Sequence, residues 1–394
     1  MPVDPTRSGR PPGDDVVAAL PDILSFVPGP GLAALRRRFL LLVGDALGSR
    51  IAAIAIREPA LGATLRARLD ALPSDGLLRL LNAPETIHRV LWPHQHDADE
   101  LARFIRLAVE AEHAREGRAH DLAGPTWTAL GDAMVGGAND APTLGLPDFP
   151  PIVLGDPQRR RPTADEAVAE PADAALVPAD ALPEVVARLR EAGRRMRACG
   201  AEIWAFTREF TPTLVLRAGG GAAAPFGSSS PERYVGRSIL WNPHDPAATV
   251  EDLAEAMVHE AIHTVMDSAD ALLTRTTPPG VRWITKPGLY DGVSRTVSPW
   301  TGRELDVPTY VHACLVWYGL ICFWTRALVS GAFDAATARQ RIMRAGGPFM
   351  TRAALEPLRP FLGAVRMDVA ALLADIEERV AGELAGLSVA AAAR

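Results

Sequence analysis

The chain is almost without lysine: Lys286 is the only one in 394 residues, and arginine carries nearly all the basic charge. Its wealth of Ala, Arg, Gly and Pro matches a GC-rich coding bias, so the missing lysine excludes no function. Cysteine is also scarce. Cys199, Cys314 and Cys322 are too few and too unevenly spaced for a disulfide framework. Cys314 and Cys322 read as small apolar residues of a buried helix. A strong charge of either sign is absent too: the formal net charge of −6 gives no drive toward nucleic acid or anionic membranes. Met1 to Asp15 is polar and holds no apolar core of the kind a secretory signal needs, so a cytoplasmic protein is expected. The apolar run from Thr309 to Val329 approaches membrane-spanning length. His312 and Arg326 interrupt it and no basic loop flanks it, which marks a buried core helix.

What is present is an ordinary globular composition, 48% hydrophobic and 22% charged, in a chain long enough to bury a large core. The expected class is mainly α (α+β). A bundle-like helical region is expected over 1–123, a Pro- and Gly-rich irregular connection over 124–182, and a helix-rich metal-binding domain with a few short strands over 183–394. Apolar spacing predicts helices over Gly31 to Leu47, Pro59 to Leu72, Asp75 to Leu81 and Asp97 to Arg115. His94 and His96, beside Pro93, read as a solvated loop pair. Between Gly124 and Pro183 prolines forbid long elements, and Arg159-Arg160-Arg161 reads as a solvated loop. A helix is expected over Leu182 to Cys199, and strands over Ala201 to Phe206, Thr213 to Arg217 and Ser238 to Trp241. Gly219-Gly220-Gly221 lacks the context of a phosphate loop and reads as a turn. Thr274 to Thr309 reads as loop. Helices follow over Thr309 to Val329, Ala335 to Arg344, Arg352 to Leu362 and Asp368 to Leu387, the last of which either caps the domain or pairs with another subunit.

The stretch that carries chemistry is His259-Glu260-Ala261-Ile262-His263, an H-E-x-x-H sequence. Thr249 reads as the N-cap, Glu251 and Asp252 place acid in the first turn, and Leu253, Met257, Val258, Ile262 and Val265 supply an apolar stripe. On a helix, residues four apart leave the same face one turn apart, so His259 and His263 can reach one metal ion with Glu260 beside it.

A catalytic ion needs at least a third protein ligand. Histidine-extended zinc-protease spacing would require Gly at 266 and His at 269, where the chain has Met266 and Ala269. The following apolar helix, Thr309 to Val329, holds no Asp or Glu. Asp306 is conceivable but misplaced by one residue from Gly302. His312, near the start of that helix, is the remaining candidate, set against its plainer reading as a core histidine.

Met257 to His263, then Ser298-Pro299-Trp300, then Val311-His312-Ala313-Cys314 opening an apolar aromatic helix, resembles the HExxH-type peptide-modification family of ribosomally made peptide natural products. The likeness is clearest over Ser238 to Arg326. The resemblance implies an iron(II)- and 2-oxoglutarate-dependent peptide β-hydroxylase acting on a precursor peptide. It implies iron held by His259, His263 and His312. A cation is then needed for the distal carboxylate of 2-oxoglutarate, for which Arg303, Arg295 and Lys286 are the candidates. The family usually has an arginine shortly before the final histidine; here the connection after Arg303, through Glu304 and Leu305, is longer, a departure from that pattern. The competing expectation is a zinc metallopeptidase with Glu260 as general base.

Overall fold

A computed structural model describes residues 14–137, 148–153, 175–219, 224–231, 233–274, 283–286, 289–351 and 354–392. The Arg159-Arg160-Arg161 run, Gly220-Gly221 and most of the proline-rich connection lie outside these residues. The protein is 64% helical with a few short strands, the mainly α, α+β class expected from its sequence. By contacts it forms two compact units. The first comprises Met1–Phe39, Arg195–Ile203 and Val265–Arg394; the second comprises Leu40–Arg194 and Trp204–Thr264.

The second unit begins within α2 (Pro30–Arg57), which runs ten residues beyond the Leu47 end its apolar spacing suggested, and continues through α3 (Pro59–Asp70), α4 (Ser74–Asn82), α5 (Pro84–Leu91) and α6 (Ala98–Arg115). Asp97 caps α6, its carboxylate accepting from the Asp99 and Glu100 amides. Ion pairs tie α6 to its neighbours: Arg68 to Glu110 at 2.6 Å, Arg79 to Glu112 at 2.8 Å, and Arg115 to Asp132 at 2.8 Å. Glu112 is fully buried, so its pairing with Arg79 offsets a desolvation cost that a lone carboxylate would bear in full. A two-stranded sheet, β1 (Thr126–Trp127) and β2 (Met134–Val135), follows.

The sheet of this unit is mixed. Strands β3 (Ile152–Val153), β5 (Thr213–Ala218) and β7 (Arg237–Trp241) run parallel; β4 (Ala175–Leu176) pairs antiparallel with β5, and β6 (Gly227–Ser229) antiparallel with β7. Both faces of β5 and β7 are buried at their centres, as parallel strands require. The helix α7 (Leu182–Cys199) spans the residues its sequence indicated. Ala201 to Phe206, expected as a strand, is instead the start of α8 (Ala201–Glu209). Buried Ile203, Phe206, Thr207 and Phe210 recur at three- and four-residue intervals, and that period prevails over the β-propensity of the short run. After β7, Asn242 takes the left-handed conformation, φ 51°, and its amide donates to the Gly219 and Ala224 carbonyls. This knits the ends of β5 and β7 to the approach to β6.

In the first unit α1 (Asp14–Leu24), α10 (Val307–Ser330), α11 (Ala335–Thr351) and α12 (Met367–Ala392) pack together. In this unit α12 packs against α1, α10 and α11. Both α2 and α10 are long and apolar enough to cross a membrane by length and composition; the apolar window of α10 is 61% buried, as in a core helix. The expected loop from Thr274 to Thr309 contains a hairpin, β8 (Arg295–Val297) and β9 (Glu304–Asp306). Its turn holds Ser298-Pro299-Trp300. The Trp300 indole stacks on Trp317 with ring centroids 5.8 Å apart, meets Phe349 edge-on at 5.1 Å, and donates to the Ala345 carbonyl at 2.8 Å. The expected helix from Arg352 is, in its described part, a 3-10 turn (Glu356–Phe361), since Pro357 and Pro360 remove amide donors.

One close approach fixes the start of the parallel strands. Gly236 has φ +92°, and a Cβ there would lie 2.7 Å from Pro212 Cγ. Gly236→Ala therefore adds left-handed strain to overpacking, and the two together destabilise by roughly 2–4 kcal/mol. Urea unfolding should show the lower midpoint with an unchanged m-value.

Candidate metal centre

The H-E-x-x-H stretch lies at the middle of α9 (Val250–Thr274). The helix start is fixed by a reciprocal cap: the Asp252 amide donates to Thr249 Oγ1 at 3.1 Å, and Asp252 Oδ2 accepts from the Thr249 amide at 3.0 Å. Leu253, Met257, Val258, Ala261, Ile262 and Val265 are buried, so the helix is held on its apolar sides and has no freedom to rotate its histidines away.

His259 and His263 meet. Their Nε2 atoms are 3.2 Å apart and their ring centroids 4.9 Å apart. Two nitrogens each about 2.0–2.1 Å from one ion and this far from each other would subtend about 100° at it, between octahedral and tetrahedral values. The separation of the two nitrogens is therefore one that a shared divalent ion could span. Desolvation, reinforced by His259, pulls the His263 pKa down to about 4 against the attraction of Glu260. The ring is neutral at physiological pH, the state a metal ligand needs.

Glu260 is 1% exposed. Burial raises its pKa, while His263, Ser228 and Ser230 pull the other way. Those serines were not legible as site residues. Ser228 pairs with Leu240 of β7, on the opposite sheet face from Ser229, whose hydroxyl accepts from Trp241 Nε1 at 3.0 Å. The alternation of a strand then turns Ser228 and Ser230 to the face of Glu260. Recognising them requires the edge-strand pairing; the Ser-Ser-Ser run alone carries no such signal.

The other candidates belong to the first unit. His312 lies in the second turn of α10, half-buried. Asp306 uses its carboxylate as the cap of that helix, accepting from the Thr309 amide at 2.7 Å. Arg295 and Arg303 are exposed on the β8–β9 hairpin and its turn. Lys286 donates to the Gly363 carbonyl at 3.0 Å. Among the described residues, no three His, Cys, Asp or Glu side chains form a group placed to hold a metal. The histidine pair is what the structure brings together.

In comparisons with known proteins, no family model and no curated protein matches the chain. Function must be argued from the site itself.

Removal of either ring leaves one nitrogen where an ion needs several. His259→Ala and His263→Ala should each abolish stoichiometric binding of iron(II) or zinc in calorimetric titration, while Thr249→Ala, which costs the helix about 1 kcal/mol, should leave the stoichiometry at wild-type value.

Proposed function

We propose that the chain is an iron(II)- and 2-oxoglutarate-dependent oxygenase that hydroxylates the β-carbon of a residue in a ribosomally made peptide, working in the cytoplasm. The observation that carries the metal-dependent part is the pair of converging imidazoles on α9, 3.2 Å apart, one of them held neutral by its surroundings. The choice of iron rests on what a zinc protease would require and the chain does not offer. Met266 and Ala269 stand where an extended histidine motif needs Gly and His, and α10 contains no carboxylate. His312 is the third ligand of this reading, and the resemblance of Ser298-Pro299-Trp300 and Val311-His312 to the peptide-modification family supports it.

Iron and 2-oxoglutarate, when bound, would supply the oxidising power for hydroxylation. The chain's own residues supply the rest. His259, His263 and His312 contribute only neutral nitrogens, so the ion's charge is uncompensated by its ligands, and the buried Glu260 carboxyl beside the pair is the available counter-charge. Arg303, Arg295 and Lys286 are the candidate cations for the distal carboxylate. Arginine suits it better, because its planar fork gives two parallel hydrogen bonds. Exposed arginines on a hairpin can serve that role once a ligand desolvates them.

A second reading is favoured by one specific observation. Burial holds Glu260 above the usual carboxylate range, as a general base for zinc-bound water would be. The two readings separate cleanly. Anaerobic reconstitution with iron(II) and 2-oxoglutarate should give a weak visible charge-transfer band, and admission of oxygen should release succinate. Zinc-dependent peptide cleavage that Glu260→Gln abolishes with the metal retained would instead establish the peptidase. For the third ligand, His312→Ala should lower iron affinity sharply; undiminished affinity would remove His312 from the set.

A further inference from the structure

A second cluster of titratable side chains gathers around α5, outside the H-E-x-x-H helix. His88 is fully buried. Its Nδ1 is 3.2 Å from the Arg233 carbonyl oxygen. A carbonyl only accepts, so Nδ1 carries the ring proton and Nε2 the lone pair. The ring stacks on Tyr234, centroids 4.1 Å apart and planes within 9°. The Arg237 guanidinium covers the same tyrosine ring at 4.1 Å, and pairs with Glu85, one turn before His88. His96 meets His88 edge-on at 5.0 Å and accepts from Arg89 Nη1 at 3.1 Å; the same guanidinium donates to Glu100 at 2.9 Å.

These contacts converge on one short piece of chain. Arg233 and Tyr234 belong to the turn that joins β6 to β7, and Arg237 is the first residue of β7. The other end of that turn is Ser230, which with Ser228 lies beside Glu260. The α5 cluster thus anchors the turn whose strand borders the candidate metal centre. The nearby carboxylates already face guanidiniums: Glu85 pairs through one oxygen with Arg237 and lies 4.0 Å from Arg89, and Glu100 pairs with Arg89; His96 adds no negative charge and Arg233 presents its carbonyl. A proton added to this fully buried ring meets two guanidiniums and a second imidazole. Burial, His96, Arg89 and Arg237 together bring its pKa down to about 3, against the Arg233 carbonyl.

We propose that His88 is a proton-released catch: neutral, it locks the β6–β7 turn, and protonation of its ring opens that turn and frees the edge strand beside Glu260. The catch works the same way whichever metal the histidine pair takes. Its sign follows from the two states. The closed turn admits the proton only near pH 3, whereas a released ring takes it near the ordinary value of about 6.5. The catch is fully closed above about pH 6.5. Each pH unit below that lowers the closed-to-open ratio about tenfold, down to about pH 3.

Amide hydrogen exchange on the full chain between about pH 5 and 7.5, corrected for intrinsic rates, reads this directly. The reporters are the Tyr234 and Arg237 amides, which donate to the Pro231 and Tyr234 carbonyls at 2.9 and 2.8 Å. Their protection should fall about tenfold per pH unit below 6.5. His88→Phe keeps a flat ring on Tyr234 but takes no proton, and should flatten the profile; His96→Gln should keep the wild-type slope. A flat wild-type profile, or a slope retained in His88→Phe and lost in His96→Gln, overturns the proposal. Should His88→Phe not fold, nitrogen NMR of the wild-type ring decides. A neutral Nδ1–H tautomer persisting to about pH 5 supports the catch, and a ring titrating near 6.5 in the folded chain refutes it.

Discussion

The candidate centre depends on the pitch of one helix. At 3.6 residues per turn, His259 and His263 leave α9 on one side, and the burial of Leu253, Met257, Ala261, Ile262 and Val265 on the others fixes which side that is. A register change of one residue would carry Glu260 to the metal face and bury an imidazole. The Thr249–Asp252 cap sets where the helix begins, and the sheet sets what faces its middle. Neither is chemistry, yet both are needed before two nitrogens can come within 3.2 Å.

A second constraint is the cost of burying groups that can ionise. Glu260 and His88 are both fully enclosed, and an isolated charge in such a place costs several kcal/mol. The protein meets that cost in two ways. Glu260 has hydroxyls and an imidazole beside it and a pKa displaced upward. His88 stays neutral through desolvation and neighbouring arginines. In the helical bundle the same problem is met by pairing, Arg79 against the buried Glu112. Groups held away from their ordinary protonation are candidates for functional sites.

Much of this was legible in the sequence, because long amphipathic segments with caps announce themselves. The helices from Pro59, Asp97, Leu182 and Thr249 follow directly from apolar period and capping residues. What was hidden has identifiable causes. Ala201 to Phe206 is rich in β-formers but too short to display its helical period, and buried neighbours decided it. The β8–β9 hairpin reads as loop because each strand is three residues long and one face is exposed. The role of Trp300 as an anchor between α10 and α11 emerges only from long-range stacking. Ser228 and Ser230 needed the pairing of β6 with β7, and the α5 cluster needed contacts between residues some 145 apart in sequence. Histidine spacing within a helix is a local signal; a carboxylate's neighbours are not.

The claim on which the functional reading stands is that α9 presents two imidazoles to one ion. X-ray absorption at the iron edge, on the anaerobic iron(II)-loaded chain, tests it most directly. Outer-shell scattering should require at least two imidazoles in the native protein and one fewer in any iron retained by His263→Ala. Iron bound with no imidazole scattering, or scattering unchanged by loss of His263, would contradict it.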